Sequence, residues 1–136
     1  MSVRLKFSAR SIIWLYIPLI KDVKEKEEHT GLRPFLVSSA EQEFYEFATM
    51  TEHYKKPDYQ YSIQHETSKL YQGKPINLNV KLYIEEKALR EIMGNFFDYA
   101  RPYRLNVWDF NEFKQRQEKY FTNPDLLGGR YEVKII

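Results

Sequence analysis

Pro75-Ile76-Asn77-Leu78-Asn79-Val80-Lys81-Leu82-Tyr83-Ile84-Glu85-Glu86 leads without a break into Lys87-Ala88-Leu89-Arg90-Glu91-Ile92-Met93-Gly94-Asn95-Phe96-Phe97-Asp98-Tyr99-Ala100. In the first half the apolar residues Ile76, Leu78, Val80, Leu82 and Ile84 take every second position, the period of a strand with one buried face. After Glu86 the period changes: Ala88, Leu89, Ile92, Met93, Phe96, Phe97 and Ala100 recur at steps of three and four, which makes a helix with a wide apolar stripe. A stripe that wide needs a surface to cover. The nearest one is the sheet to which the preceding strand belongs, so the expected fold class is α+β.

Working towards the N-terminus, Val3, Leu5 and Phe7 alternate with Arg4 and Lys6 as a short strand. Ile12 to Ile20 reads as a strand apolar on both faces, hence central in its sheet. Its length and the preceding basic residues imitate a signal peptide, but Asp22 to Glu28 follows where a cleavage site would stand, and the run is short of the ~20 residues a membrane-spanning helix needs. The charged stretch 21–31 reads as an exposed loop. Leu32 to Val37 returns as a strand. Ser38 with Glu41 and Ser39 with Gln42 are overlapping capping boxes, which predict a helix over 39–55 with Phe44, Phe47, Ala48, Thr51 and Tyr54 on one face.

Tyr59, Tyr61 and Ile63 begin a strand reaching towards Tyr71, and Gln72-Gly73-Lys74-Pro75 turns it into a hairpin with 76–84. Beyond the helix at 85–100, which Arg101-Pro102 ends, Tyr103, Leu105 and Val107 form a strand. Asp109 to Glu112 repeats the capping pattern and opens a helix over 110–121. Tyr131, Val133 and Ile135 close the chain. Residues 1–136 thus read as a single α+β domain, with a mainly antiparallel sheet of about five to seven strands and about three helices packed mostly on one face. Gly94 inside the central helix costs roughly 0.5–1 kcal/mol against alanine, which predicts a close approach of a strand or of a second copy there.

Composition narrows the function classes. There is no cysteine, which removes disulfides, thiolate nucleophiles and thiolate metal sites and suits a cytoplasmic protein. A net charge of +2 is too small to hold nucleic acid or anionic lipid without a local patch. Eleven Tyr and nine Phe are a surplus that fits a contact surface as well as a core.

Candidate chemistry is sparse. His29, His53 and His65 each adjoin an acidic residue but lack the spacing of a zinc site. Asp98, Asp109 and Glu112 would have to converge to make a metal-dependent nuclease centre. Gly128-Gly129-Arg130 could cradle an anion, though it suits a turn equally well. The residues call for no cofactor and no metal, and the balance leans away from an enzyme.

One constellation stands out: Tyr99, Arg101, Tyr103 and Arg104, followed by Lys114, Arg116 and Lys119 on the next helix and Arg130 beyond it. Arginine interleaved with tyrosine suits protein interfaces, where both types dominate binding energy, and also single-stranded nucleic acid, where rings stack on bases. The leading expectation is a non-enzymatic cytoplasmic protein of inhibitor, immunity or adaptor type that docks on another protein. A nucleic-acid-binding protein using the basic and aromatic surface at 99–119 comes second, a protein that sequesters a small ligand third, and self-association into a homo-oligomer is compatible with each. No membrane partner is expected.

Overall fold

The computed structural model describes residues 5–17, 32–41, 43–51, 59–123 and 131–135. The expected loop at 21–31, His29, His53 and Gly128-Gly129-Arg130 lie outside the described residues. Six strands, β1 (Ser11–Leu15), β2 (Arg33–Glu41), β3 (Phe44–Thr49), β6 (Val80–Glu85), β7 (Tyr103–Arg104) and β8 (Tyr131–Ile135), form one sheet in the order β7-β1-β2-β3-β6-β8. All its neighbours are antiparallel except β6 and β8, which run parallel. A small second sheet joins β4 (Gln60–Ser62) to β5 (Pro75–Asn77). Helices α1 (Glu86–Met93), α2 (Phe96–Tyr99) and α3 (Val107–Thr122) complete an α+β domain.

The sheet is apolar on both sides, and each side has its own core. Ile13, Leu15, Phe35, Val37, Tyr45, Phe47, Leu82 and Ile84 meet Phe7, Leu89 of α1 and Phe97 of α2 on one side. On the other, Ile12, Leu36, Ala48 and Met50 meet the β4–β5 pair together with Leu105 and the α3 residues Phe113 and Tyr120. Two helices therefore cover one face and the third covers the other. Ile12 and Ile13, adjacent in β1 and both buried, belong to opposite cores, as the two apolar faces of that strand required.

The helix expected at 39–55 does not form over its described part, where 39–41 and 44–49 are strand; 42 and 52–55 lie outside the described residues. Residues 33–41 and 44–49 form the β2–β3 hairpin, with Phe35 opposite Thr49 and a bulge at Ser38. Ser38 Oγ bonds Glu46 across the hairpin, to Oε2 at 2.6 Å and to the carbonyl at 3.0 Å, instead of capping a helix. Buried Tyr45 and Phe47 alternate with half-buried Phe44 and Glu46, which is the two-residue period. A neighbouring strand on each side outweighs the local capping signal.

The long strand expected at 76–84 is cut at Leu78-Asn79. Its first part pairs with β4, and its second part pairs with β3 and β8 in the main sheet. Past Ser62 the expected strand towards Tyr71 gives way to turns, and Leu5 and Phe7 lie outside any strand although Phe7 is buried.

Gly94 divides the expected helix 85–100. It adopts φ 58°, ψ −135° and its N–H bonds Arg90 O at 2.9 Å, while no atom stands within 4 Å of where a Cβ would be. The expected close approach is absent. The glycine is there for its backbone conformation, which an L side chain resists at a cost of about 1–3 kcal/mol. Gly94→Ala should lower stability by that amount in urea unfolding, and a neutral result would show that the break does not depend on glycine.

Candidate functional site

At the N-terminus of α3 two buried carboxylates, Glu66 and Asp109, face each other through Asn106. Asn106 is the N-cap: its Oδ1 accepts from Asp109 N–H at 2.8 Å, and its Nδ2 donates to Asp109 Oδ2 at 2.6 Å and to Glu66 Oε1 at 2.9 Å. The capping role expected of Asp109 thus belongs to Asn106, three residues earlier. Asp109, with none of its surface exposed, also accepts Tyr61 Oη–H at 2.5 Å and the backbone N–H groups of Gln64 and His65, both at 2.9 Å. Glu66 accepts Tyr103 Oη–H and Asn106 N–H.

These bonds decide the charge states. Burial pushes the Asp109 carboxyl up, but the donors Tyr61, Asn106, Gln64 and His65 outweigh it and hold the pKa below the ordinary 3.8. Burial and the bond to Asp109 push Tyr61 far above the ordinary tyrosine value of 10.0. The Tyr103 hydroxyl is pushed up to about 12, chiefly by its bond to Glu66. Every acceptor of the Asp109 carboxylate is in use, so this junction ties the 59–66 segment to α3 and leaves no lone pair aimed at a substrate.

A pH profile follows from these signs. The folded Asp109 binds fewer protons than the unfolded one, so its contribution is complete above pH 3.8 and is lost as pH falls through its lowered folded value. Burial raises Tyr45 and Tyr83 to about 12 as well. With Tyr103 they contribute stability that is complete below pH 10.0 and is lost as pH rises through about 12. Urea midpoints across pH should show a plateau with an acid and an alkaline limb. Ionisation of Tyr45, Tyr83 and Tyr103 near the ordinary value without unfolding, followed residue by residue through their ring NMR signals, would contradict these raised values.

The other candidate residues are dispersed. Asp98 pairs with Arg90 at 3.4 Å and Glu112 with Arg116 at 2.8 Å. The convergence with Asp109 required for a metal centre does not occur, and among the described residues no three His, Asp or Glu side chains are grouped to hold a metal ion. His65 is exposed and engages Asp109 only through its backbone.

Tyr103 stacks on Tyr71 with ring centroids 4.8 Å apart, and its hydroxyl is held by Glu66. Tyr103 pairs with Ile12 and Arg104 with Ser11 in β7–β1, so the two side chains leave on opposite faces of the sheet. Arg116 lies over the Tyr61 ring at 5.3 Å. Lys114 is half-buried, 4.0 Å from Glu46, in a cleft of about 530 Å³ that Ser38, Ser39 and Glu41 also line. Lys119 is exposed on α3.

The stretch from Phe96 to Trp108, called the rim below, runs from α2 through the edge strand β7 into the start of α3. Phe96 is 78%, Tyr99 82% and Trp108 75% exposed. Arg101 and Arg104 stand exposed between them. Gly94 explains the first of these. Had the helix continued, Phe96 would have fallen on the stripe of Leu89 and Ile92, but the break turns Phe97 inward against Phe7, 5.4 Å between centroids, and leaves Phe96 outside. Trp108 precedes Phe113 by five residues, about 140° around α3 from the buried face. The spacing of Trp108 from Phe113 is a signal that could have marked it in the sequence, whereas the spacing of Phe96 points inward and only the break at Gly94 reverses it.

The chain matches no protein-family model, no curated protein and no solved structure. Its function must therefore be argued from the rim and the junction themselves. No helix among the described residues is long and apolar enough to cross a membrane.

Proposed function

We propose that the chain is a non-enzymatic cytoplasmic binding protein, of inhibitor, immunity or adaptor type, that docks through the rim from Phe96 to Trp108 on a protein bearing acidic groups. The observation that carries this reading is the exposure of Phe96, Tyr99 and Trp108, each three-quarters or more in solvent. Large rings left in water cost free energy that a partner recovers on contact, and Trp, Tyr and Arg are the types that concentrate binding energy. The charge supports an acidic partner: among the described residues Arg101 and Arg104 form no ion pair with a carboxylate, whereas Arg90 and Arg116 do. The engagement of Tyr103 by Tyr71 and Glu66 leaves fewer free rings for base stacking and favours a protein over single-stranded nucleic acid.

The test is a pull-down with the tagged protein and its Tyr99→Ala/Trp108→Ala variant, each with and without nuclease and at two salt concentrations. The expected result is a stoichiometric protein that survives nuclease, weakens with salt and is lost from the variant. Loss on nuclease treatment would transfer the rim to nucleic acid. Equal recovery on both baits would remove it from the contact.

A further inference from the structure

Beside the rim, the loop before β1, the end of α2 and β7 border an open hollow of about 210 Å³ lined by Lys6, Phe7, Ser8, Ser11, Ala100, Pro102 and Arg104. We propose that this hollow is an oxyanion site that takes a single phosphate-type dianion.

Charge is the first argument. Two cations line the hollow and no carboxylate does. Among the described residues neither Lys6 nor Arg104 is ion-paired to a carboxylate, whereas Arg90 meets Asp98 and Arg116 meets Glu112. Asp98 meets Lys6 only through its backbone carbonyl, at 2.8 Å, and spends its carboxylate on Arg90. Two like charges facing one concavity repel each other, and an anion between them relieves that repulsion.

Preorganisation is the second argument. Lys6 is pinned by the Asp98 carbonyl and by the Phe97 ring, 5.2 Å from its Nζ. Arg104 is fixed at its backbone opposite Ser11. The serine side of the hollow is shaped by Arg10, which holds φ 79°. Arg10 is kept there by three bonds of 2.8 Å: Arg10 N–H to Val37 O, Arg10 Nε–H to Leu105 O, and Leu105 N–H to Arg10 O.

Size and chemistry set the ligand class. At about 30 Å³ per water, the hollow has room for a tetrahedral oxyanion with a linking atom or a few waters, and it is smaller than the 300–1,000 Å³ typical of pockets for larger ligands. An ammonium and a guanidinium together match a dianion, the guanidinium presenting its fork to two oxygens. Ser8 and Ser11 add hydroxyls. A phosphoryl group on a side chain and free phosphate share this chemistry.

The measurement is an amide NMR titration of the intact chain with inorganic phosphate, phosphoserine and acetate in turn, ionic strength being held constant with chloride. Saturable shifts confined to residues 6–11 and 100–104, at least tenfold weaker in Arg104→Gln and Lys6→Gln, are expected. Arg104→Lys should recover part of the loss, and Arg116→Gln should bind as the parent does. Thermal midpoints equal to the parent's establish that the variants are folded. Tighter binding of phosphoserine supports a phosphorylated side chain as the source, and equal binding supports free phosphate. Acetate binding as well as phosphate, shifts reproduced by chloride alone, or an Arg104→Gln protein that binds normally would overturn the proposal. No partner protein enters this titration, so its failure and the failure of the docking reading are separate results.

Discussion

Asp109→Asn is expected to lower the unfolding free energy by about 3–5 kcal/mol, since the oxygen replaced by an amide nitrogen gives up two bonds to a charged acceptor at roughly 1.5–3 kcal/mol each. The aspartate oxygens accept from Tyr61, Gln64, His65 and Asn106. An amide turns one acceptor into a donor facing donors and removes the charge that the N-terminus of α3 favours. With total stabilities of 5–15 kcal/mol usual for domains, the variant should melt roughly 10 °C or more below its parent. Tyr61→Phe, which takes away one of these bonds, should cost roughly 1.5–3 kcal/mol. Urea unfolding of the single and double variants measures the coupling. A loss below about 1 kcal/mol for Asp109→Asn would remove the junction from the account of stability.

Phe47→Ala should cost about 3–5 kcal/mol, the usual range for emptying a buried phenylalanine site. Phe47 is fully buried in β3, with its ring 5.9 Å from Tyr45 and 6.2 Å from Phe35. Phe44→Ala should cost only about 1 kcal/mol, because Phe44 is half-buried at the start of the same strand. This pair separates the two ways of reading residues 44–49. A helix would place Phe44 and Phe47 on one face with similar costs, and a strand makes Tyr45 and Phe47 the expensive positions. Similar losses at 44 and 47 would argue against the hairpin.

The ambiguity at that segment has a physical origin. Phe44, Phe47, Ala48 and Thr51 satisfy the helical spacing while Tyr45, Phe47 and Thr49 satisfy the strand spacing. Positions 42 and 43, between the residues of β2 and β3 in the sequence, hold no glycine, asparagine or proline to announce a hairpin. Ser38 and Glu41 then supplied a capping signal that the hairpin overrides, since pairing with β2 and β6 satisfies more backbone than one helical turn can. The strand at 80–85 and the last helix were legible because each has one dominant period, and β1 because its apolar run is short and rich in β-branched and aromatic residues.

The candidate site was legible in part. Tyr99, Arg101 and Arg104 were marked by composition alone, whereas Lys6 comes to Arg104 only through the fold, from the other end of the chain. Glu66 escaped notice for the same reason, its partners Tyr103 and Asn106 being some forty residues away.

The parallel pairing of β6 with β8 also bears on how the chain is made. Strand β6 is synthesised with β3 already available on one side, but its other edge stays open while α1, α2, β7 and α3 are added, until residues 131–135 have left the ribosome. An open edge of that kind recruits other strands, and parallel closure across a long connection is slow. Truncation before Tyr131 would therefore expose a sticky β6 even though every helix was intact, and ribosome-bound chains of that length are the ones that should depend most on a chaperone.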